Sequence, residues 1–235
     1  QLTKELLAYR SKKEDDSLLN NIDYSVLKTS SNKFEGAKID FYIKRPKELY
    51  RGDKISARFG NKGVVGCIIP SDKPAIADYT GRIDLFMAPT GVLGRKNTAI
   101  LKECWLAKIL HFLPKIILSW IEEGKKFDDI KKQIIQIYTI LDPTKDKRSV
   151  LSITQKLDQI TPANLKAGIE TGKLLFNIII PPFNNLDVKY ISQAAKILNI
   201  PLMENIEMTE NGIKTKVKVP VGFLYFGAME QLSSD

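Results

Sequence analysis

Alternation first shows at residues 37–44, AKIDFYIK, where Ile39, Phe41 and Ile43 fall on one face and Lys38, Asp40, Tyr42 and Lys44 on the other. A period of two predicts a half-buried strand. Two short apolar runs follow, GVVGCIIP ended by Pro70 and GRIDLFMAP ended by Pro89, and both read as strands. Between about 98 and 170 the period becomes helical. Asn97 or Thr98 is the expected N-cap of the first helix, and Phe127, Ile130, Ile134, Ile137 and Leu141 share one face of another. Thr161-Pro162 opens a third. The run KLLFNIII returns to strand before Pro181, and DVKYISQAAKILN is a helix with Val188, Ile191, Ala195 and Leu198 on one side. Asn211-Gly212 signals a two-residue hairpin. The pattern divides the chain into a mixed helix and loop region at 1–36, strands at 37–97, a helical insertion at 98–170 and returning strands, helix and hairpin at 171–235. The expected class is α+β.

Composition narrows the partners. The 235 residues are 43% hydrophobic and 27% charged, which suits a globular chain of one or two domains. The longest apolar run, ILHFLPKIILSWI, is interrupted by Pro114 and Lys115, so no membrane-spanning segment and no membrane partner are expected. A net charge of +9 favours a polyanion, although a solvated basic surface accounts for it too. Cys67 and Cys104 lack metal-type or redox spacing, and a reducing, cytoplasmic environment is expected. The single histidine, His111, rules out a two-histidine metal site within the chain and reads as structural. Glu14, Asp15 and Asp16 read as a solvated run, and Asp128 and Asp129 as the acidic first turn of a helix. Neither group has the Asp-x-Asp-x-Asp spacing that aims carboxylates at paired magnesium ions, so no metal ligands are expected here.

The stretch RGDKISARFGNKGVVG, residues 51–66, concentrates the cations Arg51, Lys54, Arg58 and Lys62 among Gly52, Gly60, Gly63 and Gly66. It is not a nucleotide-hydrolase phosphate loop, because Gly63 stands where Ser or Thr would follow Lys62. Two readings stay open on pattern alone. The stretch is a pair of basic turns, or a pair of rigid turns presenting Lys54 and Lys62 to one anionic site, with glycines letting backbone approach phosphate.

GDKISARFGNKGVVG closely resembles the G-D-K-M-A-G-R-H-G-N-K-G-V motif in the β subunit of cellular multi-subunit DNA-directed RNA polymerases. Further on, IDLFMAPTGVLGRKN resembles that family's D-I-V-x-N-P-L-G-V-P-S-R-M-N, and AILKECWLA resembles G-Q-I-L-E-x-H-L-G. NIIIPPFNNLDVKYISQAAKILNIP and VKVPVGFLYFGAMEQL look like the family's P-V-F-D-G-A and R-P-V-T-V-G-Y-M-Y-M-L-K-L-x-H-L. The blocks occur in the family's order between about residues 37 and 232.

The resemblance implies part of a double-psi β-barrel of the two-barrel polymerase type, with the helical stretch inserted. It implies that Lys54 and Lys62 face the active centre, at the RNA 3′ end and the reacting phosphates. By the same carry-over Arg95 approaches the incoming NTP, and Arg58 belongs to the same positive wall. Mg²⁺ is the implied cofactor, with its aspartate ligands on the β′-type subunit. The other implied partners are the rest of β, the DNA template, the RNA product and NTPs. The sequence departs from the motif at Ala57, Phe59, Leu93, Gly94 and Lys96. Phe59 replaces a histidine and cannot make its polar contacts. This drift and the chain's length suggest a split β subunit from a large bacteriophage, acting in the host cytoplasm. The family's K-M-H-A-R segment and the upstream lobes are not in the sequence, so the chain alone is expected to be inactive. A non-catalytic nucleic-acid-binding or assembly protein that borrowed the barrel is the alternative, and a small-molecule phosphate enzyme is a weaker one.

Overall fold

The computed structural model describes residues 48–94, 96–181 and 184–229. The strand expected at 37–44 and the region 1–36 lie outside the described residues. Short antiparallel strands open and close the described chain. β1 (Lys54–Ala57) pairs with β2 (Lys62–Val64) on one side and with β9 (Phe226–Ala228) on the other. A second sheet joins β3 (Ala75–Ala77), β4 (Gly81–Ile83), β6 (Ile206–Met208) and β7 (Ile213–Lys214) in the order β4-β3-β6-β7. β5 (Met203–Glu204) pairs with β8 (Val219–Pro220). Two of these sheets therefore close only when residues before 84 meet residues after 205.

Between the strands lie helices α1 (Pro89–Gly94), α2 (Ala99–Glu122), α3 (Phe127–Leu141), α4 (Arg148–Asp158), α5 (Pro162–Glu170) and α6 (Val188–Ile197). The fold is α+β. One large core joins α2 to α6: Ile109, Leu113, Ile117, Ile134, Ile137, Leu141, Leu157, Leu165 and Ile191 are all fully buried. Each such side chain contributes about 1.5–3 kcal/mol by leaving water. The apolar face read from the sequence of α3 is the buried one. A smaller cluster of Ala75, Ala77, Ile206 and Val221 lies under the second sheet.

α2 runs unbroken through Pro114, the residue that with Lys115 interrupts the apolar run in the sequence. Proline removes one helical hydrogen bond at a cost of about 3 kcal/mol. Burial of Leu113 and Ile117 on either side offsets that cost. By length and composition α2 could cross a membrane, yet Ile109, Leu113 and Ile117 pack into the helical core and Lys108 is buried within it. Thr98 precedes α2 without a side-chain cap, whereas the Thr161 hydroxyl caps α5 by accepting from the Asn164 N–H at 3.3 Å.

Several expected strands are shorter than the apolar runs that suggested them. β2 ends at Val64 and β4 at Ile83, and Pro89 opens α1 instead of ending a strand. KLLFNIII forms no ladder among the described residues. Phe176 is buried in the helical core instead, and the Ile179 N–H donates to the Ser149 hydroxyl at 2.9 Å. A side-chain acceptor thus replaces a neighbouring strand. The hairpin at Asn211-Gly212 forms, but Met208 pairs with Ile213, which leaves four loop residues. Gly212 holds the left-handed conformation there, with φ +65°.

Candidate functional site

The glycine-rich stretch folds into two turns around the β1–β2 hairpin. In the first, the Asp53 N–H returns to the Tyr50 carbonyl at 3.1 Å, with Gly52 at φ +100°. Those values describe a type II turn, which needs glycine at its third position. Asp53 is 1% exposed, and its Oδ2 accepts the Tyr50 N–H at 2.9 Å. The Gly52 N–H donates to Val65 and the Val65 N–H donates to Asp53, both at 2.9 Å. The chain just before Lys54 is thus locked to the chain just after β2.

Register then fixes the two lysines. Lys54 lies opposite Val64, and Ser56 lies opposite Lys62. Opposed residues of an antiparallel pair share a face, and so do residues two apart on one strand. Lys54 and Lys62 therefore occupy one face as diagonal neighbours, about 7–8 Å apart at the backbone. Ile55 and Ala57 point to the other side. Two ammonium groups at about 7 Å repel by roughly 0.6 kcal/mol in water. A phosphate between them would reverse that sign. Lys62 also borders a groove of about 630 Å³, shared with Val64, Ile68, Ile83 and Phe86.

The hairpin tip is strained and tethered. Phe59, in place of the motif histidine, takes φ +64°, and Gly60 follows at +71°. A left-handed non-glycine residue costs about 1–2 kcal/mol. The Phe59 carbonyl accepts the Asn97 side-chain amide at 2.9 Å, which joins the tip to the loop between α1 and α2. Arg58 pairs through Nε with Glu103 Oε1 at 3.1 Å, and its guanidinium lies over the Tyr225 ring, 5.3 Å from the centroid. Burial lifts the Glu103 carboxyl above its usual range, and Arg58 pulls it the other way. Arg95 lies outside the described residues. Asn97, two residues further along, is tied to the hairpin through the Phe59 carbonyl.

The other candidates occupy separate places. His111 is exposed at one edge, its ring 4.2 Å from that of Phe223, and its partial burial, with Lys115 nearby, lowers its pKa. Asp128 and Asp129 occupy the first turn of α3. Cys67 is exposed, while burial pushes the Cys104 thiol up to about 11. Among the described residues no group of three or more His, Cys, Asp or Glu side chains is placed to hold a metal ion.

Sequence reasoning passed over a buried ion pair outside the lysine hairpin. Lys108 of α2 is fully buried against Glu204 of β5. Glu204 also accepts the Thr80 N–H at 2.8 Å, the Thr80 hydroxyl and the Tyr79 N–H. It thereby joins the β3–β4 turn, β5 and the core helix. Burial alone would raise the Glu204 pKa, but the bonds from Lys108, Thr80 and Tyr79 outweigh it and hold the carboxyl below its usual range. The available signal was Lys108 itself, a cation immediately before Ile109 on the apolar face of α2.

Residues 7–235 match the family model of RNA polymerase Rpb2, domain 6. That span takes in both lysine turns, all six helices and every strand described above. The chain belongs to this family, and it is a C-terminal portion of a β-type subunit of a multi-subunit RNA polymerase.

Proposed function

We propose that Lys54, Lys62 and Arg95 act together in DNA-directed RNA synthesis, binding the RNA 3′ end and the phosphates of the incoming NTP. The reading rests on the shared face of Lys54 and Lys62 in the β1–β2 register. Nucleotidyl transfer shifts negative charge between attacking and leaving oxygens, so catalysis consists mostly of positioning and charge stabilisation. A turn-locked lysine pair offers two fixed point charges to such a group, with little reorganisation on binding. Arg95 steers the triphosphate, and Arg58 adds to the positive wall beside the hairpin. Mg²⁺ would supply further charge neutralisation, with its ligands on the β′-type subunit. β1, β2 and β9 form part of a double-psi barrel completed by other segments of the enzyme. The chain acts only in the assembled complex.

A reconstituted polymerase in a primed RNA-extension assay tests this. Lys62→Ala should slow nucleotide addition by roughly a hundredfold with assembly intact, the order lost with one preorganised charge contact. Arg95→Ala should mainly raise the apparent KM for NTP. Full activity of the Lys62→Ala complex sinks the proposal.

A further inference from the structure

Arg58 occupies the bend between β1 and the tip, four residues before Lys62. Its guanidinium is engaged by Glu103 of α2 and covered by the Tyr225 ring, next to β9. Glu103 is only 15% exposed, one full turn from the start of a helix whose middle is anchored in the main core. Arg58 remains 65% exposed, so the contact reaches from a rigid element to an otherwise protruding one. Asn97, two residues before α2, holds the neighbouring Phe59 carbonyl. A short hairpin with a left-handed aromatic at its tip has little local rigidity. These two tethers supply it from outside.

We propose that Glu103 is a positioning residue for nucleotide addition: acting through Arg58, it fixes the hairpin tip and so the placement of Lys62 against the reacting phosphates. The inference rests on the role of Lys62 proposed above. Releasing the tip leaves NTP binding by other groups intact but misaligns one charge at the moment of reaction. Turnover therefore falls while the KM for NTP stays the same. Misplacement on the ångström scale costs one to two orders of magnitude.

The test uses the reconstituted polymerase with Glu103→Ala, Arg58→Ala, the double variant and Lys62→Ala in parallel. Glu103→Ala is expected to lower kcat roughly tenfold with KM changed less than twofold. Glu103→Gln keeps an acceptor oxygen at the same reach and should restore most of the loss. The double variant should be no slower than Arg58→Ala alone, because both residues act through one contact. A merely structural role would instead show as reduced assembly, with normal turnover in the fraction that assembles, and this overturns the proposal. So does a multiplicative double variant. Should Glu103→Ala fail to assemble, Glu103→Leu, which fills the space without an acceptor for Arg58, decides: reduced kcat at unchanged KM supports the inference, and wild-type kcat overturns it. If Lys62→Ala is fully active, the catalytic reading itself has failed. If Lys62→Ala is crippled and Glu103→Ala is not, only the tether has failed.

Discussion

Glu204, which no motif singled out, ties the core helix to the β3–β4 turn. The residue is 2% exposed, and its carboxylate is satisfied by Lys108 of α2 and by Tyr79 and Thr80 of the β3–β4 turn. Removing one partner of a buried pair leaves the other charge stranded, which costs about 3–5 kcal/mol. Glu204→Ala should lower stability by that order in denaturant unfolding of the chain. Lys108→Met with Glu204→Leu should recover only part of it, because removing both charges still leaves the Tyr79 and Thr80 donors without their acceptor. The pH dependence has a definite sign. The folded-state pKa of Glu204 lies below its unfolded value, so its contribution is complete above the unfolded pKa of about 4.3. It fades as pH falls from there through the lower folded value. Unfolding midpoints measured from pH 6 down to pH 3 should drop less in the Glu204→Ala variant than in the parent. An equal drop in both would remove Glu204 as a cause of acid sensitivity.

At the scale of elements, the join between α3 and α4 depends on Asp142. Lys147, the residue before α4, adopts φ +51° and offers no cap. Asp142, five residues before Lys147, supplies one, accepting the Ser149 N–H at 2.8 Å and the Val150 N–H at 3.3 Å, with the Thr144 N–H at 2.9 Å. Asp142→Ala should cost about 2 kcal/mol, at the upper end for a lost cap. A fall in Tm of roughly 4–8 °C is expected, and a shift under 1 °C would contradict the capping assignment. Contrasts of this kind explain what the sequence revealed. Ile130, Ile134 and Ile137 announce α3 because helical periodicity is local. Thr161-Pro162 announces α5 for the same reason. The cap of α4 is remote in sequence, so no local pattern marks it. KLLFNIII misled because an apolar run looks alike whether it pairs with a strand or lies against helices. Within the site, the four-glycine stretch and its lysines were legible from residue types alone. Glu103, Asn97 and Tyr225 were not, since their roles arise only when residues 58 and 59 meet segments about 40 and 170 positions away.

For the whole molecule, the question is how a helical core and a set of short strands behave as one body. Gly222 is one of the points where they meet. The Phe223 N–H donates to the Cys104 carbonyl of α2 at 3.3 Å, and a Cβ on Gly222 would lie 2.3 Å from that same oxygen and 2.8 Å from the Cys104 sulfur. No rotamer change relieves a clash with helix backbone, so Gly222→Ala must push the strand segment away from α2. Overpacking of this type costs about 1–3 kcal/mol, and more where backbone must move. The displacement continues along the chain to β9, four residues later, and β9 pairs directly with β1. The lysine hairpin therefore depends on a glycine that touches no substrate. Hydrogen exchange should show α3, α4 and α6 protected as in the parent, with faster exchange confined to residues 54–64 and 219–228. In the reconstituted polymerase the same variant should add nucleotides more slowly than the parent. Uniformly faster exchange across helices and strands would mean that the two cores unfold as a single unit, and that the hairpin is held by global stability and not by this contact.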